Sequence, residues 1–141
     1  MFWGDVDEQL AKLPAFLADT DPKLPVIRAI GEAFADVVAE FGPGKVPWVL
    51  TQYNIIGSLA ELQASALSRF TAQADTLRFF AADRLKVSAE DALPRVISYT
   101  CIAAVIAAAQ AWAGAGSDRG PLAPYVLRAL APLADGFENS K

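Results

Sequence analysis

"SRFTAQADTLRFFAADRLKVSAEDALPRVISYTCIAAVIAAAQAWAGAG", residues 68–116, decides how the rest of the chain is read. Its first third sets Phe70, Ala74, Leu77 and Phe80 on one side of a helix. Leu59, Leu62 and Ala66 extend that stripe upstream, and Ser58 with Glu61 makes a capping box, so one long helix is expected from Ser58 to about Leu85. "KVSAED" breaks it. Ser88 with Asp91 then caps a further helix that carries the alanine-rich run to about Ala113. The stretch from Val96 to Gly116 is apolar enough to suggest a membrane span, but it is built on alanine, carries Ser98, Thr100 and Gln110, and lacks Leu and Phe. Alanine is a weak lipid-facing residue, so a helix buried on most sides of a cytoplasmic protein is the expectation.

Outward from this stretch the same period continues. Val26, Ile30, Ala33, Phe34, Val37, Val38 and Phe41 fall on one face of a helix that starts near Pro25 and is stopped by "GPG" at 42–44. Ahead of it, Val6, Leu10, Leu13 and Leu17 stripe a helix from about Asp5 to Leu17, with Pro14 expected to kink or end it and "ADTDPKLP" forming a turn. Residues 46–56 read as a short helix, apolar nearly all round. Beyond the loop "GAGSDRGP", Pro121 suits the first turn of a last helix running to about Asp135, with Gly136 as its C′ residue and Pro132 disturbing its end. No β-branched alternation and no Asn-Gly or Asp-Gly hairpin turn occurs. The expected fold is all-α, a bundle of five to six helices, in a single domain spanning 1–141.

Composition narrows the chemistry. Hydrophobic residues make up 54% of the 141, which suits a real core. Twelve Lys and Arg stand against 16 Asp and Glu, a net charge of −4, so no basic face is available to neutralise nucleic-acid phosphates. Histidine is absent, which removes the usual general base and the commonest metal ligand. The single cysteine, Cys101, lies among Ala and Ile and reads as an inert buried thiol. Glu32, Asp36 and Glu40 align at i, i+4, i+8, and a solvated face explains them without a cation. No enzyme, metal or cofactor constellation emerges.

What remains is apolar volume. Phe34, Trp48, Tyr53, Phe70, Gln73, Leu77 and Tyr99 combine large aromatics with a few polar tips, the lining expected of a small-molecule pocket, although each could equally be ordinary core. The alanine-rich helix carries small residues that let another helix approach, and the last helix is more apolar than one core face requires. Ala104, Ala108, Ala111, Trp112, Tyr125, Val126, Ala129, Leu130 and Leu133 are the candidate contacts of a homodimer, in which two helices from each chain form a four-helix bundle.

This order of features resembles the C-terminal domain of TetR-family transcriptional regulators. A long Arg- and aromatic-bearing helix is followed by a break with an acidic cap. An Ala-rich helix ending in Ala111–Trp112 comes next, then a loop and "LAPYVLRALAPLADGF". The nearest flavour is that of actinobacterial members that include mycofactocin-system regulators. The resemblance implies an effector-binding and dimerisation domain of a repressor. Residues 1–17 would be the remnant of a linking helix, 25–85 the ligand-binding body and 88–136 the dimerisation helices. "MFWGDVDEQL" would continue from a DNA-binding head that is not in these residues, with Phe2 and Trp3 packed against it. This chain alone would then bind no operator DNA. The family's founding member holds its drug through a magnesium ion and histidine; without histidine the implied ligand is mostly apolar and metal-free. The alternative is a helical dimerisation and protein-interaction module with no ligand.

Overall fold

Prolines and one threonine hydroxyl decide where the helices begin and break. The computed structural model describes residues 7–39, 64, 67–115 and 120–139, and all its regular structure there is helical. Five helices are defined: α1, Leu13–Ala18; α2, Val26–Val37; α3, Ala74–Leu85; α4, Ala92–Gly114; and α5, Ala123–Asn139. Shorter helical runs at 7–10 and 67–71 precede α1 and α3.

The first expected helix is split. Pro14 has no N–H to offer the Leu10 carbonyl, so the chain opens at residues 11–12 and the proline settles into the first turn of α1. Pro25 caps α2 in an extended conformation (φ −55°, ψ 148°), its carbonyl accepting from the Ala29 N–H at 2.9 Å. The long helix expected from Ser58 to Leu85 is also interrupted, at residues 72–73. Thr71 turns its hydroxyl back onto the carbonyls of Leu67 (2.7 Å) and Ser68 (3.2 Å), which competes with the helical ladder and bends it.

The turn after α3 is made by Lys86, at φ 59° and ψ 43°. Its N–H reaches the Asp83 carbonyl and that of Val87 reaches Ala82, the paired bonds of a Schellman motif. The cap of α4 differs from expectation. Asp91 occupies the N-cap, and Ser88 instead accepts from the Glu90 N–H at 3.1 Å within the turn. The last helix outruns its expected end. Gly136 lies inside α5, because Phe137 packs against the core and Glu138 is bound by Arg28, which outweighs glycine's preference for a terminus. The expected helix over 46–56, the Ser58–Glu61 capping box and Phe41 lie outside the described residues.

The helices pack as a closed set: α2 along α5, α3 along α4, α4 along α5, and α1 on α2. Gly31 lets α5 approach α2; a Cβ there would sit 3.3 Å from Leu130 Cδ1. Leu122, just ahead of α5, and Val126, Leu130 and Ala134 on it are buried at four-residue spacing. Arg28 closes the far end of this pair by gripping Asp135 and, at 2.8 Å, Glu138.

Candidate functional site

The interior is one cluster, and α2 supplies much of it. Val26, Ile30, Ala33, Phe34, Val37 and Val38 are all buried, while Glu32 and Asp36 on the opposite face are exposed. Leu77 and Ala81 come from α3, and Ile97, Cys101, Ile102 and Val105 from α4. Phe70, on the run ahead of α3, joins the same cluster.

Of the seven residues proposed above as ligand lining, the structure brings Phe34, Phe70 and Leu77 into this common core. Gln73 sits half-buried at the break before α3. Tyr99 is on the outside of α4, 59% exposed. Trp48 and Tyr53 lie outside the described residues. Glu40, the third carboxylate of the ladder on α2, does too. Among the described residues no three His, Cys, Asp or Glu side chains are grouped so as to hold a metal ion.

The α3–α4 wall of the core is pinned by polar contacts. The buried Ser98 hydroxyl donates to the Ala74 carbonyl at 2.7 Å, bridging the two helices. Arg78 donates to the Ala89 carbonyl (2.9 Å) and to the carboxylates of Glu90 and Asp75 (3.2 Å each), holding the intervening turn. Its hydrogen bond to Asp75, first, and that to Glu90 hold the guanidinium pKa above its ordinary value. Between these helices Cys101 is sealed off, and desolvation of the thiolate pushes its pKa up to about 12. The thiol is therefore neutral and unreactive at physiological pH.

The nine candidate dimer contacts divide into two sets. Ala108, Trp112, Val126 and Leu130 are buried within the chain's own core, and the Trp112 indole N–H donates to the Gly120 carbonyl at 2.8 Å. Ala104, Tyr125, Ala129 and Leu133 are half-buried, and Ala111 is exposed. Among the residues exposed on α4 are Leu93, Val96, Tyr99, Ala103, Ala107 and Ala111, and on α5 Leu127 is exposed too. Sequence reasoning passed over Leu93, Val96 and Leu127. Because α4 is apolar on every side, no charged face marks which side is outward. By length and composition α4 could cross a membrane, yet it packs along both α3 and α5. A concavity of about 360 Å³ lies between α2 and α5, floored by Ile27, Gly31, Leu130 and Ala134 and rimmed by Arg28, Glu32 and Arg128.

Residues 24–138 match a family model described as the MftR C-terminal domain, one of the TetR-type C-terminal domain models. No curated protein and no solved structure matches the chain.

Proposed function

Since the chain belongs to the TetR family, as a C-terminal domain of the MftR type, we propose that it is the effector-binding and dimerisation domain of a cytoplasmic transcriptional repressor. In this reading it senses a mostly apolar small molecule without catalysis or metal and relays binding to a DNA-binding head. The observation that carries the reading is the unfinished surface of α4. Leu93, Val96 and Tyr99 are 42%, 56% and 59% exposed on a helix whose inner side is already buried. A row of exposed apolar residues at helical spacing is the mark of a face awaiting a partner. A second copy of α4 and α5 would complete a four-helix bundle with Tyr99, Ala103, Ala107 and Ala111 at its seam, supported by Ala104, Tyr125, Ala129 and Leu133. Obligate interfaces of this kind typically bury ~2,000 Å² or more.

The ligand would lie against the α2–α3–α4 wall, touching Phe34, Phe70, Gln73 and Leu77; Trp48 and Tyr53 remain candidate lining by their residue type alone. Binding moves a two-state equilibrium only through differential affinity, so the ligand must favour one position of α3 relative to α1. Screening a hydrophobic library for melting shifts tests the ligand half of the proposal, and light scattering tests the dimer half. A dimer stabilised by at least one apolar compound, with the gain lost in Gln73→Ala or Phe70→Ala, supports the whole. A second reading, a ligand-free dimerisation module, draws support from the complete burial of Phe34 and Leu77. It predicts a dimer that no compound stabilises.

A further inference from the structure

Away from the α2–α3–α4 wall, the turn before α2 meets the C-terminal ends of α3 and α5 around a cavity of about 300 Å³. Leu24, Val26, Leu85 and Phe137 contribute its apolar walls, and Lys23 and Arg84 its cations. Among the described residues Arg84 is partnered there by neutral groups. It donates to the Leu24 carbonyl and the Thr20 hydroxyl, each at 2.8 Å, and its guanidinium lies 4.8 Å from the centre of the Phe80 ring. No carboxylate pairs with it among the described residues, and none pairs with the Lys23 ammonium, although Asp21 accepts from the Lys23 main-chain N–H at 2.9 Å. Glu138, the acid lining this cavity among the described residues, is turned to Arg28 at 2.8 Å, a guanidinium it shares with Asp135. A guanidinium carries five N–H donors, and two are used here, so three remain on a half-buried planar fork. Such a fork suits a carboxylate, and the low-polarity walls beside it strengthen the interaction and accept an apolar body. We propose that this cavity is a second ligand site, taking a small aliphatic or aryl monocarboxylate, with Arg84 binding the carboxylate, Lys23 adding long-range attraction and Leu85 and Phe137 holding the apolar part.

The site is separate from the effector pocket proposed above, and its test distinguishes the two. The 15N-labelled chain is titrated with benzoate, with benzamide as a neutral molecule of the same shape and with inorganic phosphate as a charge lacking the apolar body. Benzoate is expected to move the amide signals of Leu24, Leu85 and Phe137, with benzamide and phosphate at least tenfold weaker. Arg84→Gln should weaken benzoate at least tenfold. Lys23→Gln, a change at an exposed position that leaves the fold intact, should weaken it about threefold. Equal affinity for benzoate and benzamide, unchanged affinity in Lys23→Gln, or shifts centred on Phe34 and Leu77 instead would each overturn the assignment. If Arg84→Gln fails to fold, the benzamide comparison and Lys23→Gln still decide it.

Discussion

Helices α2 and α4 are both rich in apolar residues, yet they end in opposite conditions. On α2 the two kinds of residue separate cleanly: Phe34, Ile30 and Val37 go in, and Glu32 and Asp36 go out. On α4 the inner side holds Ile97, Cys101, Ile102 and Val105, and the outer side holds Val96, Tyr99, Ala103 and Ala107. The first helix has a finished surface. The second has a surface that one copy of the chain leaves open to water. Burial of apolar area stabilises by roughly 25 cal/mol per Å², so the exposed side of α4 is a reservoir that only association can draw on.

The contrast is sharpest between two adjacent alanines. Ala108 is 4% exposed and Ala107 faces out. Ala108→Glu should abolish the fold, because an unpaired charge would enter the core. Ala107→Glu should leave helicity and cooperative melting intact while converting a dimer to a monomer in light scattering. If both variants unfold, or if neither changes the association state, the distinction between the faces of α4 is lost.

Leu77→Ala comes next in size. It deletes a fully buried side chain between α2, α3 and α4, and should lower unfolding stability by about 3 kcal/mol in denaturant titration. An apolar ligand that recovers part of this loss would place the effector pocket there.

The pH response of Cys101 gives a smaller effect. Its pKa rises from about 9.0 to about 12 on burial, so between those values the unfolded chain releases a proton that the folded chain keeps. Stability is then complete below pH 9 and declines as the pH climbs towards 12. Between pH 8 and pH 10 the loss should be about 1 kcal/mol larger in the native sequence than in Cys101→Ala. An identical pH profile in the two would show that the interior admits water at this point. The smallest change belongs to the solvated rim of α2. Arg28→Gln should lower the melting temperature only slightly, and the difference should vanish in high salt, since Arg28, Asp135 and Glu138 meet at the surface.

The same contrast explains what could be read in advance. Most of the α2 stripe was legible, from Val26 to Val38, because charge and apolarity alternate at the helical period; Ile27 and Ala29 are buried as well, and Phe41 lies outside the described residues. The α3–α4 hairpin and its turn at "KVSAED" were legible too, since a break between two periodic runs needs no tertiary information. The side of α4 that faces outward was not, because Ala and Ile repeat round the whole circumference and leave the phase unmarked; Ala108 and Ala111 looked equivalent. The interruption at residues 72–73 was hidden because it depends on which way the Thr71 hydroxyl turns. The true end of α5 was hidden because Glu138 is held by Arg28, more than 100 residues away in sequence. Of the candidate pocket, Phe34, Phe70 and Leu77 were found as apolar residues in phase with their helices. The exposure of Tyr99 was hidden for the same reason as the burial of Ala108.

The pairing of α2 with α5 has an outcome for synthesis. Arg28 meets Glu138 across 110 positions of chain, and Gly31 meets Leu130 nearby, whereas α3 and α4 are joined by a short turn. Contacts between sequence neighbours close first and distant ones close last. A ribosome-bound chain can therefore zip its middle hairpin early, but Ile27 and Ile30 stay wet until the final 17-residue helix emerges. Loss of α5 by premature termination would strand an otherwise assembled chain with α2 bare, a natural target for chaperones and proteases.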